Sequence, residues 1–497
     1  MSLTNLLSLN FLVPFVAHKI DFSKSVRGLR GMPRRLLLIG HKLAAGNAQN
    51  NTVVEALTES TAVALAGEGS MLLAMWRAAK ANAGLGLPID MIAIPTAVGA
   101  TAASTTIVVN NSGGATLAYT GDVMLYIGGT RVAVAANTSD TAATIATKLI
   151  AAVNAIASLP VTAAAGGSAG QLVLTAKWPG PSGNMIDVRS THYADDMLPA
   201  GLTLTIPAMS GGAGSPDISA AITAMRGYRA TEIVMPFTDS ANMVALEAEA
   251  ELRWGHNNMS DGQVVTAVRG TLAELTTWLS TRNSRQVHTI ATKADMTSPW
   301  ETASMAGAAI ETSAATDPAL PYTDIVLSGY KGPRRGQHWD LLDEGNALLV
   351  AGASPLSIGQ DGTGALLRVV TNYTQNPAGA DDPSTRELAW VKTMSYYRWF
   401  TITEYATKYR GFKLAEYITD PIPGQKIMTA ELVEEIQLGN YMTLMNAGLV
   451  QNLEHYKESL IVEIDGPNGK VKLQEEPVLV TQHYQTEISS YPIAGRV

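Results

Sequence analysis

One feature limits the fold more than any other: a strand–helix rhythm that stops and later resumes. "RRLLLIGHKLAAG" from Arg34 reads as a buried strand running into a Gly-containing loop. "GEGSMLLAMWRAAKAN" (67–82) carries Met71, Leu72, Met75, Ala78 and Ala79 at helical spacing, and "IDMIAIP" (89–95) is the next strand. Strand, helix and strand at this pace predict a β-α-β unit with a parallel sheet. The rhythm returns after Gly214. "DISAAITAM", "SANMVALEAEAELRW", "TLAELTTWLSTRN" and 298–315 read as helices, the last with Pro299 in its first turn. "TEIVMPF" (231–237), "GQVVTAVRG" (262–270) and "QVHTIATK" (286–293) read as the strands between them.

Between Thr96 and about Gly214 the chain is rich in Ala, Thr, Gly and Ser, and reads mostly as short strands. The candidates are "STTIVVNN", "VMLYIGGTRVAVAA", "GQLVLTAKW", "NMIDVRS" and "LTLTIPAMS". One helix interrupts them (140–156), entered through a Ser139 or Asp140 cap. "MSGGAGSPD" (209–217) closes the segment as a hinge. The expectation is an α/β domain split by a β-rich insertion, which a host tolerates when the two ends of the insertion lie close together.

The last third differs. "GALLRVVTNYTQN" (364–376) suggests a strand, and 384–411 a long aromatic-rich helix with Ser384 as cap and Glu387 at N3. A second helix (429–450) is capped by Thr429. "LIVEID", "GPNG" (466–469) and "KVKLQ" read as a β-hairpin. "PVLVTQHYQTEISSY" (477–491) alternates to the end.

The beginning is unusual. "LNFLVPFVAHKIDF" (9–22) places Phe11, Leu12, Val13, Phe15 and Val16 near a chain end. It admits a signal peptide, a core strand, or a strand meant for another molecule. A signal peptide needs a basic segment before the apolar one, and "MSLTN" has no Lys or Arg. The alternation is strand-like, and Pro14 points to an edge.

Composition narrows the function. Of 497 residues only 16% are charged, while 46% are hydrophobic and 6% aromatic. An ordinary soluble protein has about 25% charged residues, so much apolar surface is expected between subunits or in thick cores. The net charge is −8 with no basic stripe, which argues against nucleic acid. With no cysteine there is neither a disulfide framework nor a thiolate metal site. No apolar run reaches the about 20 residues needed to span a bilayer.

Chemistry is sparse. "GGSAG" (166–170) matches the nucleophile-elbow pattern, but an elbow needs a helix after it and "QLVLTA" follows. The bland reading of Ser168 is a loop. The eight histidines, at 18, 41, 192, 256, 288, 338, 455 and 483, show no metal-ligand spacing. "DGTGALLR" lacks the GK[ST] ending of a phosphate loop. No catalytic, cofactor or metal site is expected.

Several segments in order resemble one family, the tail sheath proteins of contractile-tailed bacteriophages of the Mu-like type. They are 31–82, "IDMIAIP", "GQLVLTAKWPGPSGNMIDVR" (170–189), "LLDEGNALLVAGASPLSIGQDGTGALLRVVTNYTQNPAGADDPSTRELAWVKTMSYYRW" (341–399) and "IMTAELVEEI" (427–436). The resemblance runs from about Gly31 to Leu453. It implies a discontinuous mixed α/β core, subtilisin-like in shape and non-catalytic, over 21–97 and 212–363. It implies an inserted β-rich outer domain (98–211), a C-terminal α+β domain (364–475) and extended arms (1–20 and 476–497). The implied function is a structural subunit that polymerises as stacked hexameric rings around an inner tail tube and contracts for genome delivery. The implied partners are further copies, the tube protein, and baseplate and neck or terminator proteins, without nucleic acid contact or membrane insertion. The implied location is the virion tail, after assembly in the host cytoplasm. The arms would add strands to neighbouring subunits through Phe11, Val13, Phe15, Val16, Val478, Val480, Tyr484 and Ile488. About 14 extended residues reach on the order of 45 Å, enough to cross to a neighbour. Two other readings remain open: a serine hydrolase on the same core, and a strand-donating pilin or adhesin-type subunit.

Overall fold

The computed structural model describes residues 31–112, 114, 116–417 and 424–492. The chain divides into a larger unit, within Met32–Thr403 and Leu479–Val497, and a smaller one that includes Glu404–Val478.

In the larger unit the first block is β1 (Leu36–Gly40), β2 (Val53–Glu55), α1 (Glu59–Ala66), α2 (Met71–Asn82) and β3 (Ile89–Ala93). β1 is apolar on both faces and wholly buried, the pattern of a central parallel strand. Ser70 caps α2 by accepting from the Leu73 N–H at 3.1 Å.

Then come β4 (Ala102–Asn111), β5 (Gly121–Ile127), β6 (Thr130–Ala136), α3 (Ala142–Ala155), β7 (Val161–Ala165), β8 (Gln171–Pro179), β9 (Val188–Arg189) and β10 (Leu202–Thr205). They make two sheets of their own, in the orders β10-β4-β8-β7 and β6-β5-β9. Leu172, Leu174, Ala176 and Trp178 of β8 alternate inward and are buried, α3 packs on this sheet, and Trp178 meets Trp300 edge-on at 5.8 Å between centroids. Gly128 and Gly129, both at positive φ (55° and 78°), turn β5 into β6, as a two-residue hairpin requires. The predicted Ser139 or Asp140 cap is displaced by one residue. Thr141 caps α3, while the Asp140 carboxylate is taken up by the Asn137 N–H at 2.8 Å and Lys148 at 2.6 Å. Where the chain enters and leaves this region, Thr101 and Ala213 exchange backbone hydrogen bonds of 3.0 and 3.2 Å.

The rhythm resumes with α4 (Ser219–Met225), β11 (Glu232–Val234), α5 (Ser240–Trp254), β12 (Gln263–Arg269), α6 (Leu272–Leu279), β13 (Val287–Thr292), α7 (Pro299–Thr316), β14 (Ile325–Val326), α8 (Asn346–Val350), β15 (Ala353–Ile358), β16 (Gly364–Leu366) and α9 (Leu388–Lys408). One nine-stranded sheet results, in the order β14-β16-β15-β13-β12-β11-β1-β3-β2. Its six central strands are parallel, and β2, β16 and β14 close the edges antiparallel. β11, more than a hundred residues from β1, pairs with it directly. Helices α2 and α7 pack together over the centre of this sheet. The long α7 starts with a Ser298–Glu301 capping box and Pro299.

Two expectations in the last third are corrected. The strand predicted for 364–376 is Gly364–Leu366 only; beyond it Val370 and Gln375 form isolated bridges to Glu387 and Asp381. Ser384 does not cap α9, which begins at Leu388. The Ser384 N–H instead donates to Asp382 at 2.9 Å, and Glu387 is engaged by Arg368.

The smaller unit holds a helix Ala430–Asn446, capped by Thr429 as predicted, a short helix Leu453–Ser459, and the hairpin Ile461–Asp465 with Lys470–Gln474. Tyr441 and Tyr456 stack at 3.6 Å between centroids. Val433 and Ile436 pack with Tyr405, Tyr409, Phe412 and Val462. Among the described residues no helix is long and apolar enough to cross a membrane.

Candidate functional site

The arm residues Phe11, Val13, Phe15 and Val16 lie outside the described residues. In the C-terminal stretch only Val478–Leu479 forms a strand, so the alternation predicted over 477–491 does not become a continuous one. The Val478 N–H donates to the Tyr441 hydroxyl at 3.2 Å. Val480 is half-buried and Ile488 is 81% exposed. Tyr484 is seated on the larger unit. Its hydroxyl donates to Glu387 Oε2 at 2.7 Å, and the Arg368 guanidinium stands 3.9 Å from its ring centroid. Two residues earlier, Gln482 Nε2 donates to the Ala319 carbonyl at 3.0 Å.

Ser168 lies in the turn between β7 and β8, where its carbonyl accepts from the Gln171 N–H at 3.1 Å. Strands flank it on both sides, so it has none of the strand–turn–helix geometry of an elbow. Among the described residues no three His, Cys, Asp or Glu side chains are grouped to hold a metal ion.

A buried charge cluster escaped the sequence reading. Glu232 opens β11, His288 lies on β13, Glu311 on α7 and Lys392 on the first turns of α9. Lys392 Nζ lies 2.6 Å from Glu232 Oε2 and 2.9 Å from Gln263 Oε1, and also donates to Glu311. His288 Nε2 is 2.7 Å from the other Glu232 oxygen. Arg34 and the Thr231 hydroxyl complete the shell of Glu311 at 3.2 and 2.7 Å. Burial pushes the Glu311 carboxyl up, but Lys392 and Arg34 together hold it down at about 2. A His–Glu pair of this kind could move a proton, yet Glu232, His288 and Glu311 expose no surface, so no substrate reaches them. The cluster's physical role is to hold β11, β13, α7 and α9 together. Only the unusual placement of single charges inside apolar segments could have hinted at it.

A second polar group ties the inserted sheets to the nine-stranded one. Arg269 donates to the carbonyls of Met185 (2.7 Å), Asp295 (2.8 Å) and Thr297 (2.8 Å). Arg189 reaches the Ala294 carbonyl at 2.9 Å, and Arg334 donates to Thr191. Burial raises the Asp295 carboxyl to about 6, against the opposing charge of Arg269.

Comparison with known proteins now gives this architecture its place. Residues 211–362 match the phage tail sheath protein central domain. The chain is 32% identical over 471 residues, 95% of each protein, to the Mu-like prophage FluMu tail sheath protein of Haemophilus influenzae. Among solved structures it is similar to a sheath tail protein of Listeria innocua, with 12% identity, TM-score 0.48, and 91% of this chain and 93% of that one covered. It is also similar to the anti-feeding prophage helical sheath in its contracted state, with 10% identity, TM-score 0.47, and 97% and 99% covered. Identity of about one third along nearly the whole length of both chains places this protein in the phage tail sheath family.

Proposed function

We propose that this chain is the polymerising subunit of a contractile tail sheath, a structural protein and not an enzyme. Copies stack as hexameric rings around an inner tail tube, between a baseplate and a neck or terminator complex. Contraction drives the tube through the host envelope. The assembled chain is a virion tail component built in the host cytoplasm. The observation that carries this is collinear identity to a tail sheath protein over 95% of both chains.

In this reading the discontinuous, subtilisin-like core (21–97 and 212–363) carries every strand of the nine-stranded sheet but β16. The separate sheets of 98–211 face outward, and 364–475 forms the C-terminal domain. The arms, 1–20 and 476–497, cross to neighbours through Phe11, Val13, Phe15, Val16, Val478, Val480, Tyr484 and Ile488. Strand addition supplies main-chain hydrogen bonds along an edge and pockets for alternate side chains. A docked arm keeps subunits linked while bistable interfaces switch between an extended and a contracted lattice.

Negative-stain microscopy of the purified protein tests the first claim. Thick hollow cylinders in long and short forms are expected; thin fibres would indicate a pilin-like subunit. Removing residues 1–20 tests the second. The truncated chain should stay folded and soluble but form no tubes, and long tubes from it would overturn the role of that arm.

A further inference from the structure

A cavity of about 100 Å³ lies at the edge of the nine-stranded sheet where its parallel strands end. The turns that leave β11 and β12 and the first turn of α7 form it, and Ser182 and Met185 of the inserted region close it. Met185 is 40% exposed, so the cavity lies at the surface. Open α/β sheets take their ligands at this edge, beside the point where the winding reverses. Here it reverses between β1, which leads to β3 on one side, and β11, which leads to β12 on the other. Phe237, just after β11, packs on His41, just after β1, at 5.0 Å between ring centroids, and it also lines the cavity.

The walls are mostly apolar: Phe237, Met185 and the prolines Pro181, Pro216, Pro236 and Pro299. The polar groups are one-sided. Two buried polar atoms of lining residues have no hydrogen-bond partner, Arg269 Nε and Trp300 Nε1, and both are donors. Trp300 is 2% exposed, so its indole N–H cannot turn to bulk water. The other two nitrogens of Arg269 are spent on carbonyls, and among the described residues it forms no ion pair. The carboxylate in the lining, Asp239, is already engaged by the Asn242 N–H and Nδ2, at 3.2 and 2.8 Å. Pro299 and Trp300 begin α7, whose positive dipole end adds to the same sign.

We propose that this cavity binds a small monocarboxylate. Its oxygens accept from Arg269 Nε and Trp300 Nε1, and its short hydrocarbon tail lies against the proline walls. The ligand satisfies two buried donors, which are costly when left unpaired, and gives the guanidinium an anion. It also touches both the core and the inserted region, so it bridges the two. The inference is independent of the sheath reading and holds whether or not the chain polymerises.

Equilibrium dialysis of the full chain against radiolabelled butyrate tests it. One butyrate per chain should bind saturably, displaced by propionate and not by chloride. Trp300→Phe keeps a ring against Trp178 and removes the indole N–H; Arg269→Gln removes the cation. Each should weaken binding at least about tenfold, the worth of one hydrogen bond to a charged group. Arg334→Gln, which loosens the same two regions away from the cavity, should leave binding unchanged. Butyramide, the neutral amide of the same size, should compete poorly. N-acetylglutamate amide, which carries its carboxylate on a peptide backbone, should do so too. No saturable binding by about 10 mM, where a well-fitted ligand of this size is bound, would overturn the site, as would unweakened binding to the Trp300→Phe chain. Equal competition by butyramide would overturn the choice of an anion, and tighter binding of N-acetylglutamate amide the choice of a free acid over a protein side chain.

Discussion

Lys392 Nζ lies 2.6 Å from Glu232 Oε2 across 160 residues of chain, with both side chains buried. The ammonium also serves Glu311, where Arg34 adds a second cation, so two cations balance the two carboxylates in a dry interior. Removing one partner of a buried pair leaves uncompensated charge and costs about 3–5 kcal/mol. Lys392→Met should lower stability by that order in urea unfolding, and free the start of α9 to faster hydrogen exchange. A change under 1 kcal/mol would mean that the cluster holds nothing.

Two buried carboxyls pull the pH dependence in opposite directions. Glu311 is held down at about 2, so its contribution is present above the ordinary range near 4.5 and is lost as pH falls from there toward 2. Asp295 is raised to about 6; its folded form prefers the proton, so its contribution is present below about 4 and is lost as pH rises to 6. Asp295→Asn should flatten the loss between pH 4 and 6, worth on the order of 2–3 kcal/mol. Thermal unfolding across pH 3–8 measures it, and an unchanged slope would assign the loss to other groups.

Arg269 is one of three arginines that tie the inserted sheets to the core, through the Met185 carbonyl, and it also braces the Asp295 and Thr297 carbonyls of the core. Arg269→Ala removes three charge-assisted bonds, costing upwards of about 4 kcal/mol at about 1.5–3 kcal/mol for each. Limited proteolysis should then cut first near 96–101 or 210–217. Cleavage with the pattern of the unaltered protein would show that Arg189 and Arg334 suffice.

At Gly307 α7 lies close against the sheet. A Cβ there would lie 2.9 Å from Val265 Cγ1 and 3.4 Å from Glu232 Cγ and Leu36 Cδ1. Overpacking costs about 1–3 kcal/mol, while Ala regains about 1 kcal/mol of helix propensity. Gly307→Ala should therefore destabilise by roughly 1 kcal/mol, read from the denaturant midpoint. A stabilised variant would show that β12 yields freely.

Much of the local structure was legible before any coordinates. Hydrophobic period marked β1, α2, β3, β12 and β13; Thr429 marked a helix start, and "GPNG" a hairpin. These signals come from residues a few positions apart, so the chain itself sets them. The cap expected at Ser384 fails because Arg368 claims Glu387 across 19 residues, which no local pattern records.

Sequence by itself determined the family, the alternation of strands and helices, and the break in that alternation between Thr96 and Gly214. Only the tertiary structure decided that β11 lies against β1, that Glu232, His288, Glu311 and Lys392 share one dry space, and that Tyr484 meets Glu387. The physical reason is that periodicity tells which face of an element is buried but not what buries it. That partner is chosen by packing and charge pairing between segments 56 or more residues apart.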